Sequence, residues 1–220
     1  MAQKKLENLW QKGRKQMLND VTVFNIREYL SAKGDKDLGE DELRQLLSEF
    51  FCDKNPDVER FLKEQSIEFT KKNQSVTYLV FSNEDASLVG YFTITIKPIT
   101  VNTENFSNTM KRKIARVSEL DEENGTYTLS AYLIAQLGKN FKDGANEKIT
   151  GEQLLQAAID TIKELQYMAG GMVIFLEAED KEKLMHFYED ENGFKQFDVR
   201  ETKCSDNDEI HKLVQLLKVM

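Results

Sequence analysis

The chain has little of what marks secreted, metal-bound or membrane-embedded proteins. Its 220 residues include two cysteines, two histidines, two prolines and one tryptophan. Cys52 and Cys204 are far apart and fit no metal or redox spacing, so they read as two unpaired thiols in a reducing compartment. His186 and His211 stand in no spacing with Cys or acid that would build a nucleophilic triad or a metal site, and no metal is expected. The longest apolar runs, LVGYFTITI (88–96) and GGMVIFLEA (170–178), are strand-sized and too short to span a bilayer. Lys4, Lys5, Lys12, Arg14 and Lys15 have no apolar stretch behind them, so no secretory signal is expected. These absences point to a cytoplasmic protein without membrane contact. The net charge of −8 counts against a general nucleic-acid binder, because phosphate affinity is carried by clustered Lys and Arg. The charge is uneven, however. Lys111-Arg112-Lys113 forms a local basic patch, while acids crowd Asp180 to Glu191.

What is present reads as one mixed α/β domain over residues 1–220, with an N-terminal arm (1–19) and a helical insertion (102–124). A hydrophobic content of 40% with 31% charged residues is ordinary for a globular chain of this length, and no repeat or low-complexity linker breaks it. Leu6, Trp10 and Met17 alternate with charges and suit a short helix or extended arm. VTVFNI (21–26) reads as a strand, and Gly34 and Gly39 bracket a turn. Leu43, Leu46, Leu47 and Phe50 recur at helical spacing from Glu40. Asn55-Pro56 starts another helix that carries Val58, Phe61, Leu62 and Phe69. Residues 76–81 and 88–96 form an antiparallel hairpin across Asn83-Glu84-Asp85, and Pro98 is expected to end the second strand. A helix around Asn108 to Val117 sits in the polar insertion, and Asn124-Gly125 turns into the next strand. The tail from Leu213 to Val219 reads as a last strand.

From Ala131 to Phe197 the elements follow a definite order. AYLIAQLGKN (131–140) is a strand, FKDGANEKIT (141–150) a loop, and GEQLLQAAIDTIKELQYM (151–168) an amphipathic helix. GGMVIFLEA (170–178) is a second strand, EDKEKLMHFYEDENGF (179–194) a short helix ending near Tyr188, and KQF (195–197) a third strand. A loop between a strand end and a helix start offers free backbone N–H groups to a phosphate, and the helix dipole favours negative charge there. Thr150 can cap that helix with its hydroxyl.

This order, with Thr150-Gly151-Glu152-Gln153-Leu154-Leu155 at the helix start and Phe187-Tyr188 followed by Gly193-Phe194, resembles the GNAT family of acetyl-CoA-dependent N-acetyltransferases. The likeness covers roughly Phe51 to Phe197, judged by matching elements. It implies an α/β (α+β) GNAT fold: a mixed central sheet of six to seven strands flanked by helices, its fourth and fifth strands splayed. The cofactor it implies is acetyl-CoA. Backbone N–H groups of Ile149, Thr150, Gly151, Glu152 and Gln153 would hold the pyrophosphate. Leu137, Gly138 and Lys139 would meet the pantetheine. Tyr188 would protonate the leaving thiolate, and Glu177 is the candidate base that takes a proton from the substrate ammonium, with Tyr132 or Ser130 as alternatives that order a water.

The chain departs from the family pattern at Glu147 and Ile149, where glycines are expected, and its loop is longer. Gly144 could supply flexibility, and Lys142 or Lys148 could offset phosphate charge. The Tyr motif carries one extra residue. The resemblance implies an N-acetyltransferase that transfers acetyl to a primary amine of a small molecule, a peptide or an aminoacyl acceptor. The stretch 50–81 is similar to the subgroup of acetyltransferase toxins that act on aminoacyl-tRNA, which makes tRNA the one nucleic-acid partner in view. A non-catalytic CoA-binding scaffold, or an interaction domain whose arm and insertion form a homodimer surface, stands beside these.

Overall fold

The alternation and helical periodicity of the sequence are realised in a computed structural model that describes residues 15–18, 20–31, 39–102, 104, 106–203 and 210–220. Trp10, Gly34 and Cys204, with most of the arm, lie outside the described residues. The chain divides into two compact units, each assembled from two segments: residues 1–95 with 136–163, and residues 96–135 with 164–220.

In the first unit, β1 (Lys15–Leu18), β2 (Val21–Asn25), β3 (Val76–Ser82) and the start of β4 (Leu88–Asn102) pair antiparallel in chain order. The end of β6 (Thr126–Lys139) follows beside β4. One side of these strands is covered by α1 (Ile26–Ser31), α2 (Glu40–Ser48) and α3, which runs through Pro56–Arg60, Phe61–Gln65 and Ser66–Lys71 with its middle run π-helical. α3 begins as its sequence demands. The Asn55 side chain accepts from the N–H of Val58, and Pro56 takes the first position, where a missing N–H costs nothing. Phe24, Leu43, Leu47, Phe50, Leu62 and Leu79 are fully or almost fully buried and form the centre of this unit's core.

Two glycines let helices approach the strands closely. A methyl group on Gly138 would overlap Val58 Cγ1 of α3 and lie 3.3 Å from the Tyr91 ring. A methyl on Gly90 would lie 2.9 Å from the Gly138 carbonyl oxygen and 3.2 Å from Leu154. Leu154 belongs to α5 (Gly151–Ala169), so Gly90 receives α5 and Gly138 receives α3. Tyr91 locks the second contact by donating its hydroxyl to the Val58 carbonyl at 2.6 Å.

The second unit holds the rest of β4 and β6, then β7 (Val173–Glu179), β9 (Ile210–Val219) and β8 (Lys195–Lys203), with the short β5 (Leu120–Asp121) on β6. β7 runs parallel to β6, but only for the three pairs Tyr132↔Ile174, Leu133↔Phe175 and Ile134↔Leu176. β9 pairs antiparallel with both β7 and β8, so the apolar tail is a strand as expected. The insertion carries α4 (Asn108–Ile114), capped by Ser107, and Phe106 and Ile114 join a core with Val101, Leu129, Leu133 and Phe175.

Pro98 does not end β4, which continues to Asn102. Ile99 and Val101 are buried and Thr100 is exposed, so the two-residue alternation carries the strand past an exposed proline whose fixed φ suits extended backbone. The described strands number nine, not six to seven. The excess comes from short pieces such as β1 and β5, whose four and two residues give no pattern to read. No helix among the described residues is long and apolar enough to cross a membrane.

Replacing Gly138 by Ala is expected to destabilise the protein by roughly 1–3 kcal/mol, the usual range for overpacking, in urea denaturation. The pair Gly138→Ala with Val58→Ala should cost less than the sum of the two single changes. Strict additivity would remove this account of Gly138.

Candidate functional site

In the first unit, β6 gives way to a loop whose entrance is fixed by one buried side chain, Asn140. Its Nδ2 donates to the carbonyls of Leu88 (2.8 Å) and Glu49 (3.3 Å), and its Oδ1 accepts from the N–H groups of Phe51 (2.9 Å) and Lys142 (3.1 Å). The Phe141 N–H donates to the Phe51 carbonyl at 2.7 Å. A tight 3₁₀ turn, Lys142–Lys148, follows, with Asp143 and Gly144 in the left-handed region at φ 50° and 76°. Gly144 thus bears a strained conformation that glycine accommodates at no steric cost. Lys142 pairs with Glu49 and Lys148 with Asp85, so both lysines of the loop are already engaged by carboxylates of the same unit. The Lys148 partnership holds the Asp85 carboxyl down, to about 2.

The loop exit shows why a glycine is not needed at Ile149. That residue is extended (φ −145°, ψ 138°), and its side chain is buried. Only its backbone is on offer. Next comes a capping box: the Gln153 N–H donates to Thr150 Oγ1 (3.0 Å), and the Thr150 N–H donates to Gln153 Oε1 (2.8 Å). The Leu154 N–H bonds the Thr150 carbonyl. The N–H groups of Gly151 and Glu152 have no protein acceptor among the described residues, and they open a helix of 19 residues. Of the sequence candidates, Thr150 and Gln153 therefore spend their N–H groups on each other, while those of Gly151 and Glu152 stay without an acceptor among the described residues.

Leu137, Gly138 and Lys139 end β6 in the same unit. The need for Gly138 is met by the packing of Val58 described above, independent of any ligand. Burial pushes the Lys139 ammonium pKa down, and the nearby Lys54 charge adds to this. The Lys54 ammonium itself lies 4.5 Å above the Phe141 ring.

The second unit carries Tyr188 and Glu177. A short helix, α6 (Glu182–Met185), widens into a π-helical run, His186–Glu191, and closes where the Phe194 N–H bonds the Tyr188 carbonyl at 2.9 Å. A π-helical turn absorbs one residue more than an α turn, so it houses the extra residue between Tyr188 and Gly193. Tyr188 is partly buried, edge-on to Phe187 (4.9 Å) and Phe194 (6.0 Å). Burial pushes its phenol up to about 12. Its hydroxyl makes no hydrogen bond within the described residues. His186 is exposed and meets Asp190 at 2.8 Å, the surface role its sequence suggests.

Glu177 is held from two sides. Gln215 Nε2 donates to its Oε1 at 2.6 Å, and Arg200 Nη1 lies 3.5 Å from both carboxylate oxygens. β9 and β8 supply these partners by register, Glu177↔Gln215 and Arg200↔Leu213. The Tyr132 hydroxyl donates to the Gly170 carbonyl at 2.6 Å, which fixes the end of α5 on β6 and leaves that proton committed. Ser130 is exposed. Sequence reasoning did not single out Asn140, Arg200 or Gln215, because all but one of the partners named here lie 23 to 91 residues away.

No family model matches the chain. No curated protein matches it either. Solved structures do match. A Tyr-to-Phe variant of the toxin AtaT aligns with a TM-score of 0.56 at 14% identity, over 92% of this chain and 91% of that one. A Tyr-to-Phe variant of KacT gives 0.57 at 17% identity, over 91% and 95%. AtaT complexed with acetyl-methionyl-tRNAfMet gives 0.55 at 16%, over 89% and 94%. At such identities the likeness is one of fold, and the fold of this chain, a mixed sheet flanked by helices with a strand–loop–helix at its middle, is the GNAT fold.

Proposed function

We propose that this chain is an acetyl-CoA-dependent N-acetyltransferase that passes acetyl to a primary amine in the cytoplasm. The observation that carries this reading is the start of α5, where the N–H groups of Gly151 and Glu152 are left without acceptors at a capped 19-residue helix. A GNAT-fold toxin of similar structure has been solved with acetyl-CoA and its antitoxin's C-terminus, at a TM-score of 0.52 and 16% identity. Acetyl-CoA supplies a thioester carbonyl open to attack by a neutral amine.

Within the proposal, each residue has a definite task. Gly151 and Glu152 donate backbone N–H groups to the pyrophosphate, and the helix dipole adds to the attraction. The backbone of Leu137, Gly138 and Lys139 pairs with the pantetheine. Tyr188, whose hydroxyl is uncommitted, gives a proton to the departing thiolate. A phenol held protonated is the form that this task needs. Glu177 is tied to Arg200 and Gln215, so its role is to fix charge or order a water near the amine rather than to act as a free base.

A second reading, an enzyme acting on the amine of aminoacyl-tRNA, is favoured by one observation. Lys111, Arg112 and Lys113 of α4, with Arg116 after it, form no ion pair among the described residues, in a chain that is acidic overall. Unpaired cations on a surface helix suit a phosphate backbone. Growth arrest on expression, with acetylated aminoacyl-tRNA recovered, would separate this from a small-amine enzyme.

Calorimetric titration with acetyl-CoA is expected to show binding; none at millimolar cofactor would remove both the catalytic and the scaffold readings. Tyr188→Phe should lower turnover about a hundredfold or more, the usual weight of a general acid, with cofactor affinity nearly intact. Unchanged turnover would refute the acid role. In an alkaline absorbance titration of the folded protein, Tyr188 should ionise near 12, above the ordinary value of about 10. The raised value means that the stability it confers is whole below pH 10 and is lost as pH climbs through 12. Burial also raises Tyr29, Tyr91 and Tyr132, so Tyr188→Phe should shrink the late absorbance change by one tyrosine, and coincident titration curves for the two proteins would count against it.

A further inference from the structure

We infer that Asn140 is the positioning residue of the pyrophosphate loop, an inference that rests on the acetyl-CoA reading above. A primary amide has two donor hydrogens and two acceptor lone pairs, and Asn140 spends all four. Two carbonyls, of Leu88 and Glu49, face its nitrogen; two N–H groups, of Phe51 and Lys142, face its oxygen. Only one orientation of the amide satisfies that set. Its own N–H donates to the Val89 carbonyl at 2.9 Å, which fixes the backbone under the side chain.

The four partners belong to different pieces of the first unit. Leu88 begins β4, Glu49 and Phe51 follow α2, and Lys142 is the first residue of the 3₁₀ turn. The residue is 3% exposed and its bond to the Leu88 carbonyl is fully buried, so losing the amide nitrogen there leaves an uncompensated group. The turn beyond Lys142 has left-handed residues at Asp143 and Gly144 and is held further on by the burial of Ala145 and Ile149, by the Lys148–Asp85 pair and by the meeting of Thr150 with Gln153. Asn140 therefore sets where the loop begins, and the loop's path sets where the N–H groups of Gly151 and Glu152 point. Asn140 touches no substrate in this account and acts through the loop.

Asn140→Asp keeps the shape and the acceptor side but turns an oxygen toward the carbonyls of Leu88 and Glu49. The test is calorimetric titration of acetyl-CoA into the full-length wild type, into Asn140→Asp, and into Val23→Ala, a core change in β2 of the same unit chosen to match the stability loss. Circular dichroism sets a temperature at which all three are folded. We expect the acetyl-CoA Kd to rise roughly ten- to a hundredfold in Asn140→Asp, the range that supporting hydrogen bonds carry at a binding site, and to stay within about twofold in Val23→Ala. No binding by the wild type would overturn the acetyl-CoA reading and this inference with it. Binding by the wild type with equal affinities in Asn140→Asp, or equal losses in both variants, would overturn this inference alone. Should Asn140→Asp not fold, hydrogen exchange of the wild type decides. Lys142 and Phe51 amides as slow as those of the β3–β4 ladder support the hub, and a Lys142 amide exchanging like an open loop overturns it.

Discussion

Gly90 and Gly138 stand side by side on β4 and β6, and the first unit depends on the absence of two side chains there. Leu154 of α5 closes on Gly90, and Val58 of α3 closes on Gly138. Interiors are packed to crystal-like density, so a helix cannot retreat from a strand by one methyl without opening voids elsewhere. The Tyr91 hydroxyl, bonded to the Val58 carbonyl, fixes the height of α3. The seat of α5 fixes the position of its own first turn. The candidate anion site thus rests on two constraints: the packing of Leu154, three residues after Gly151, and the hydrogen bonds of Asn140 where the loop begins.

Much of the architecture was legible in the sequence because it rests on local chemistry. Asn55-Pro56 starts α3, Thr150 caps α5, and the apolar period places α2, β2, β3, β7 and the terminal strand. Where local rules misled, a longer-range interaction had won. Pro98 reads as a stop, yet buried Ile99 and Val101 draw β4 onward. The extra residue after Tyr188 reads as a departure from the family spacing, yet the helix widens to take it in. Asn140 reads as a polar residue at a strand end. Its four partners are contributed by sequence positions as far as 91 residues away, and no window of sequence displays that.

The loop lysines and Glu177 read in the sequence as lone charges, and the structure gives each of them partners. Lys142 and Lys148 look available to a phosphate, but Glu49 and Asp85 have claimed them. Exposed ion pairs of this kind contribute little stability, because water and salt screen them. Glu177 looks like a base at a strand end, but register brings Gln215 opposite and Arg200 one strand further. Gln215 donates to its carboxylate and the Arg200 guanidinium lies close to both of its oxygens.

The loop lacks two of the glycines that a phosphate cradle usually needs, and the structure gives a reason why that lack is tolerable. Glycine is required where a backbone must adopt a left-handed conformation or come close to a ligand. Here the left-handed turn falls earlier, at Asp143 and Gly144, and Ile149 is extended with its side chain inside the core. The backbone reaches the helix start without a side chain of Ile149 projecting outward. Gly151 then stands where the first free N–H does, with the Glu152 N–H beside it. The two amides that the capping box leaves unspent are the two that an anion would meet, so a non-consensus loop can present a consensus arrangement of donors.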